Sequence, residues 1–228
     1  MFGIEVGIGL EIVKKLASQG VTVVLTAGDL KRGNYATSKL RELGLKNVVI
    51  HQLDVLDPAS IGAFTKIHPK QPSGKVAKMV EGVIEHTCEK AEECWNTNCY
   101  GAKRATEALL PLLQCSILGA RIVNVSSLRR ITRESTRNEL ADVETPKKET
   151  GWDGIARSFV QDLKENAIEA NGWPQMMPAY SISKAMLNAY TRMLAKKYQT
   201  MCINCVHPGF VATDLNWHRG PMTVERGG

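Results

Sequence analysis

Apolar residues in this chain alternate between two spacings, and the alternation lays out the elements. Leu10, Ile12, Val13 and Leu16 recur at helical spacing and stop at Gly20. Residues 21–27 follow as a continuous apolar run of the kind found in parallel strands buried on both faces. Residues 31–43 predict a second helix, stopped by Gly44. Residues 48–55 predict the next strand, ending at Asp54. This βα alternation predicts an α/β fold with a doubly wound parallel sheet. The pattern breaks over residues 63–80, where two prolines, Gly74 and several lysines leave no β-branched run. Helices resume over residues 83–113, in two pieces. Residues 121–126 are a short β-branched strand ending in Ser126 and Ser127, and residues 201–207 are another, closed by Pro208-Gly209. Between them Ile155, Phe159, Leu163 and Ala167 step by four, with Asn171-Gly172 expected to end that helix. Ile182, Met186, Ala189, Met193 and Leu194 then mark one long amphipathic helix.

That last helix carries the chemistry. Tyr180 and Lys184 are four residues apart, so phenol and ammonium share a helix face. An ammonium beside a phenol favours the phenolate and lowers the Tyr pKa from its usual value of about 10. A phenol tuned in this way can exchange a proton near neutral pH. Alone, such a pair is more often plain surface; here it sits between two strands, one ending in serines and one in Pro-Gly. At the other end of the chain, Gly3, Gly7, Ile8 and Gly9 lead into the first helix. Such glycines let a backbone approach a pyrophosphate while the helix N-terminus presents its amides.

Composition narrows the classes. With 228 residues and 43% hydrophobic content, a single globular domain spanning 1–228 is expected, with a helical insertion at about 128–178. No apolar run approaches the roughly eighteen residues that cross a bilayer, and no secretory pattern opens the chain, so a cytoplasmic protein without a membrane partner is expected. The net charge of +6 is spread over 29 basic and 23 acidic residues, which suits anionic ligands and not a clustered nucleic-acid footprint. Arg129, Arg130, Arg133 and Arg137 read as a solvated face, and a basic interaction module would rest on net charge alone. The six cysteines are expected to be buried free thiols, with Cys202 and Cys205 on opposite strand faces. The five histidines show no ligand spacing, so no metal is expected.

Strand, serine, Tyr-x-x-x-Lys helix, strand and Pro-Gly, in that order, resemble the short-chain dehydrogenase/reductase family, a Rossmann-like fold. Within it, Val23-Val-Leu-Thr26, His51-Gln-Leu-Asp-Val55, Ala91-Glu-Glu-Cys94 and Leu187-Asn-Ala-Tyr-Thr-Arg192 resemble the plant subgroup of salutaridine and menthone–neomenthol reductases. The resemblance implies reversible, NADP(H)-dependent reduction of a small-molecule carbonyl to a secondary alcohol. It assigns Tyr180 as general acid and base, and Lys184 as its tuning cation and a partner of the nicotinamide ribose. Ser127 becomes the substrate-oxygen donor, and Asn98 the holder of a relay water. Gly3, Gly7, Ile8 and Gly9 match the pyrophosphate turn, Asp54 and Val55 the adenine neighbourhood, and Pro208, Gly209, Val211 and Thr213 the carboxamide loop. The insertion implies a monomer, because it would cover the surface on which other members pair.

Three departures stand against that pattern. The strand expected before the glycine turn, the family's Asn-Asn-Ala-Gly strand expected after residue 64, and the last strand are all missing from the sequence, so the expected sheet is truncated. Each buried strand brings apolar side chains worth about 1.5–3 kcal/mol apiece, against a net stability of about 5–15 kcal/mol. Val6 and Gly28 also stand where the subgroup has the basic residues that suit NADP, while Lys31 and Arg32 lie close by; Asp29 suits the ribose of NAD(H) instead. The alternative reading is a non-catalytic remnant that has lost dinucleotide binding.

Overall fold

The computed structural model describes residues 7–65, 87–116, 119–128, 136, 140, 149–213 and 218–227. It divides into two compact units, Met1–Val80 with Pro208–Gly228, and Glu81–His207. Among the described residues each unit holds one two-stranded parallel sheet.

In the first unit, α1 (Gly7–Ser18) leads to β1 (Val23–Ala27), α2 (Leu30–Glu42) and β2 (Val48–Gln52), followed by α3 (Pro58–Thr65). Parallel neighbours need a crossover, and α2 supplies it between β1 and β2, which pair from Val23↔Val48 to Ala27↔Gln52. Asp29 starts α2 by accepting from the amides of Lys31 and Arg32, and Gly44, at φ +86°, stops it as expected. Gly33 lets α2 lie close on the sheet, since a Cβ there would sit 2.3 Å from Cδ1 of Ile50. β2 is shorter than its sequence predicts. The Leu53 amide still reaches the Ala27 carbonyl at 2.9 Å, but Asp54 then accepts from the Leu56 amide and turns the chain away. The core gathers Val13, Ala17, Leu25, Ala27, Ala36, Leu40 and Val48. Val24 and Val49 pair on the opposite face and remain exposed, so these strands are buried on one side and not on both. The C-terminal part returns to this unit through a bridge between Val211 and Met222 and through α8 (Val224–Gly227), whose Glu225 carbonyl accepts from Lys15 Nζ at 2.9 Å.

In the second unit, α4 (Cys88–Trp95) runs through a π-helical turn (Asn96–Gly101) into α5 (Ala102–Gln114), then β3 (Arg121–Val125), α6 (Glu149–Lys164), α7 (Pro178–Lys197) and β4 (Cys202–Val206). The two helical pieces expected over 83–113 are thus joined by a widened turn, with residues 83–86 outside the described part. Helix α6 ends at Lys164, well before Asn171-Gly172, because Asn166 takes a left-handed conformation at φ 52°. Phe159 of α6 packs edge-on between Trp95, at 5.5 Å, and Trp173, at 5.2 Å, and the Trp173 indole N–H reaches Asp162 Oδ2 at 2.6 Å. Helix α7 starts with Pro178 as its first residue and ends with Lys196 and Lys197, both favourable to a helix dipole. Ile182, Met186, Leu187, Tyr190 and Leu194 of α7 lie in the core with Ile203 of β4. The cysteines depart from expectation: only Cys99 is buried, Cys88 and Cys94 are half-buried, and Cys115, Cys202 and Cys205 are exposed, the last two in β4, where only Ile203 is buried. Arg129, Arg130, Arg133 and Arg137 lie outside the described residues.

Candidate active site

Tyr180 and Lys184 lie together where α7 runs along the end of β3, and the backbone of Ser127 is held to the same helix. Pro178 and the left-handed Met177 set the start of α7, and the Trp95 indole N–H fixes its first turn by donating to the Ala179 carbonyl at 3.0 Å. Four residues of helix then bring Lys184 Nζ to 5.7 Å from the centre of the Tyr180 ring. Lys184 is 8% exposed, while Tyr180 is half-buried. The same ammonium donates to the Val125 carbonyl at 2.9 Å. Burial pushes the Lys184 pKa down, and the nearby thiols of Cys94 and Cys99 act weakly in the other direction.

The two serines at the strand end divide their work. Ser126 is buried, its hydroxyl donates to the Lys184 carbonyl at 3.2 Å, and its amide donates to Val206 at 2.7 Å. Ser126 is therefore spent on holding β3 to α7 and β4, and Ser127, half-buried, follows it. Asn188 Nδ2 holds the Ser127 carbonyl at 3.3 Å, and Asn124 Nδ2 reaches Thr191 Oγ1 at 3.0 Å.

Asn98 lies in the π-helical turn, a distortion frequent at functional sites. Its side-chain amide donates to Ser183 Oγ at 3.2 Å and to Cys94 Sγ at 3.4 Å, while Ser183, wholly buried, donates to the Tyr180 carbonyl at 2.8 Å. Asn98 is thus tied to the residue preceding Lys184. Burial also raises the Cys94 thiol pKa and pushes that of Cys99 up to about 12, which keeps both protonated near neutral pH.

The predicted cofactor positions of the first unit also gather in part. Gly7 opens α1 in the left-handed region at φ +64°, and Thr213 lies against it: a Cβ on Gly7 would be 3.1 Å from Thr213 Cγ2. Ile8 and Gly9 follow in the first turn of α1, which carries no acidic residue. Pro208 and Gly209 precede Val211, which is 3% exposed and acts as core, and Met222 brackets it, its carbonyl accepting from the Ala212 amide at 2.7 Å and its amide donating to the Phe210 carbonyl at 3.3 Å. Asp54 and Val55 lie in the turn after β2, with the Asp54 carboxylate engaged by the Leu56 amide. Gly3 and Val6 are outside the described residues. Asp29, read from the sequence as suiting a ribose, caps α2, with Arg32 Nε 4.0 Å from its other carboxylate oxygen. Sequence reasoning missed Ser126, Ser183, Asn188 and Thr191; the last two sit four and seven residues beyond Lys184, a spacing that marks one helix face.

Residues 1–135 match the short chain dehydrogenase family. The chain belongs to that family. Its relatives in the short-chain dehydrogenase family include short-chain dehydrogenase/reductase 1 of Saponaria officinalis, 45% identical over 99% of this chain and 85% of the relative. Salutaridine reductase of Papaver bracteatum is 40% identical over 97% and 84%, and the mouse carbonyl reductase [NADPH] 3 is 31% identical over 99% and 85%. The solved structure of salutaridine reductase from Papaver somniferum superposes with a TM-score of 0.84 at 37% identity, covering 98% of this chain and 90% of that one. These relatives support an oxidoreductase with the family's Rossmann-like architecture. The Saponaria alignment spans 259 positions against 228 residues here, so at least 31 positions stand opposite gaps in this chain.

Proposed function

We propose that the chain reduces a ketone to a secondary alcohol, or runs the reverse reaction, with NADP(H) as hydride carrier. The observation that carries this reading is Lys184, whose buried ammonium lies over the Tyr180 ring and on the end of the serine-bearing strand. The described residues suit the dinucleotide: Gly7 opens α1 in the left-handed region, Ile8 and Gly9 follow in its first turn, and Thr213 lies against Gly7. When bound, the dinucleotide supplies or accepts the hydride. Tyr180 delivers the proton to the carbonyl oxygen in reduction and removes it in oxidation. Lys184 stabilises the phenolate that this leaves and hydrogen-bonds the nicotinamide ribose. Ser127 donates to the substrate oxygen as negative charge develops there. Asn98 holds the relay water beside Lys184. Asp54, Val55, Pro208, Gly209 and Val211 frame the adenine and carboxamide ends.

The substrate class is a cyclic or alkaloid-like ketone, in keeping with the plant reductases among the relatives, and the carbonyl reductase named for NADPH supports that cofactor over NAD(H). The protein works as a monomer in the cytoplasm; α6, which carries Phe159 into the core beside Trp95, supports this by covering α4. The test is NADPH oxidation with cyclic ketones. Tyr180→Phe should lower turnover by at least about 100-fold, the usual weight of a positioned acid. Turnover equal to the unsubstituted protein would remove Tyr180 from the chemistry.

A second reading, a remnant that no longer binds dinucleotide, is favoured by one observation. The Cys202 amide bonds Ala120 and the Ser126 amide bonds Val206, so the even positions of β3 face β4. Val125 therefore directs its carbonyl to the other edge, where Lys184 takes it. In this reading the ammonium seals a strand edge and is lost to the cofactor. Calorimetric titration separates the two: micromolar binding of NADPH or NADH ends the remnant reading, and no binding of either ends the reductase reading.

A further inference from the structure

Catalysis by Ser127 and Tyr180 requires a serine on one element and a phenol on another to share a register, and the set of bonds between β3 and α7 shows how that register is kept. Four successive residues at the end of β3 each bond to α7: Asn124 to Thr191, Val125 and Ser126 to Lys184, and Ser127 to Asn188. Lys184, Asn188 and Thr191 form one stripe of the helix at spacings of four and three. Thr191 is buried and donates back to the Leu187 carbonyl at 2.8 Å, so its place in the stripe is rigid. Only one of these bonds grips Ser127 itself, through Asn188 Nδ2 at 3.3 Å.

We infer that Asn188 is a positioning residue for the reaction: it holds the Ser127 carbonyl so that the neighbouring hydroxyl keeps its place at the end of β3, beside the helix that carries Lys184 and Tyr180. This rests on the reductase reading and deepens it. Two features separate Asn188 from an ordinary packing residue. It is half-buried between the buried Leu187 and Ala189, and its amide donates to the Ser127 carbonyl, a bond that an apolar side chain would lose. Its Oδ1 is itself buried and has no hydrogen-bond partner among the described residues. An amide at this place thus leaves an acceptor unsatisfied and gains only the donor that grips Ser127. Removing that donor frees the Ser127 peptide to rotate, and the hydroxyl then meets the substrate oxygen less often in the geometry that the developing charge needs.

The experiment is a double-substitution cycle on the full chain, read by NADPH oxidation with a ketone that the unsubstituted protein turns over. Asn188→Leu should lower kcat about tenfold, a part of the 100-fold to 1,000-fold that losing such a donor outright can cost. KM and the calorimetric affinity for NADPH should change less than about twofold, because the Ser127 hydroxyl bonds the substrate oxygen chiefly as charge develops there in the transition state, and not NADPH. On a Ser127→Ala background the same substitution should have almost no effect, since the group it positions is gone. Equal falls on both backgrounds would show a general loosening of the site and overturn the proposal, as would an unchanged kcat. If Asn188→Leu does not fold, Asn188→Asp keeps the shape and removes the donor; failure of both to melt cooperatively assigns Asn188 to stability and overturns the proposal too. Tyr180→Phe, measured alongside, keeps the two readings apart. If it leaves turnover intact, the reductase reading fails; if it abolishes turnover while the cycle is additive, only the role of Asn188 fails.

Discussion

The two units are built from the same βα grammar but bury very different cores. Among the described residues, the core cluster of the unit with Tyr180 and Lys184 holds three aromatic residues besides Phe159, while that of the unit with the glycine turn holds none. The insertion contributes to the larger core: Leu140, Ile155, Phe159 and Trp173 lie in the segment between β3 and α7. The smaller unit rests on valines, alanines and leucines around a two-stranded sheet with Val24 and Val49 exposed. A catalytic constellation needs side chains locked by packing, and the residues proposed for one, Tyr180, Lys184, Ser127 and Asn98, all belong to the unit with the larger core.

The largest effect that would break this comparison is Phe159→Ala. Phe159 is 1% exposed and contacts Trp95 and Trp173, and removing such a side chain costs about 3–5 kcal/mol. Amide exchange of β3 and β4 should accelerate accordingly, as measured by exchange mass spectrometry. A loss below about 1 kcal/mol would mean that the insertion is a covering and not part of the core.

In the smaller unit the expected weakness is crowding. Gly33→Ala places a methyl 2.3 Å from Ile50 Cδ1 and 3.1 Å from Ala27 Cβ, so either Ile50 changes rotamer or α2 lifts from the sheet. Overpacking of this kind costs about 1–3 kcal/mol, offset in small part by the better helix propensity of Ala. Urea denaturation followed by exchange in β1 and β2 should locate the loss there. Unchanged stability would show that the layer between α2 and β2 is loose.

How much of this was legible beforehand follows the same divide. The parallel pairs, the α2 crossover and the long helix that begins at Pro178 could be read from apolar spacing, and Tyr180 and Lys184 from a four-residue interval on that helix. The end of β2 could not, because Asp54 competes for the backbone through its own side chain, and no hydrophobic pattern records that. The end of α6 escaped for a similar reason: the apolar step of four continues to Ala167, but Asn166 has already left the helix at φ 52°. The π-helical turn at Asn98 was hidden as well, since nothing in its composition distinguishes it from α-helix. Ser126 and Asn188 were missed because their partners are backbone carbonyls, which every residue has and no motif marks.

Alkali sharpens the contrast, because all six cysteines lie in the larger unit. Burial lifts the Cys99 pKa from 9.0 to about 12. A thiol with a raised folded pKa contributes stability that is complete below pH 9.0 and is lost as the pH climbs from there through about 12. The slope is at most about 1.4 kcal/mol per pH unit. Cys94, also raised by burial, acts with the same sign, whereas Lys184, whose pKa burial lowers, gains stability as the pH rises towards 10.5. The difference between the parent and Cys99→Ala, melted from pH 8 to 10, isolates the thiol; the variant should be less stable at pH 8 and fall less steeply above pH 9. Parallel slopes would place the thiol in contact with solvent.

The smallest effect tests whether the smaller unit keeps its second helix by local chemistry alone. Asp29 accepts from the Lys31 amide at 2.8 Å and the Arg32 amide at 3.3 Å, and its carboxylate also faces the positive end of the α2 dipole. Asp29→Ala leaves both amides to water and should cost about 1 kcal/mol. Asp29→Asn, which keeps the acceptor and drops the charge, should recover more than half of that loss, since the hydrogen bond is retained and only the dipole and the 4.0 Å approach of Arg32 are given up. Chemical denaturation of the three proteins at equal ionic strength measures both steps. If Asn restores nothing, the charge holds α2 in place, and adding salt should then weaken the parent protein and leave Asp29→Ala unchanged.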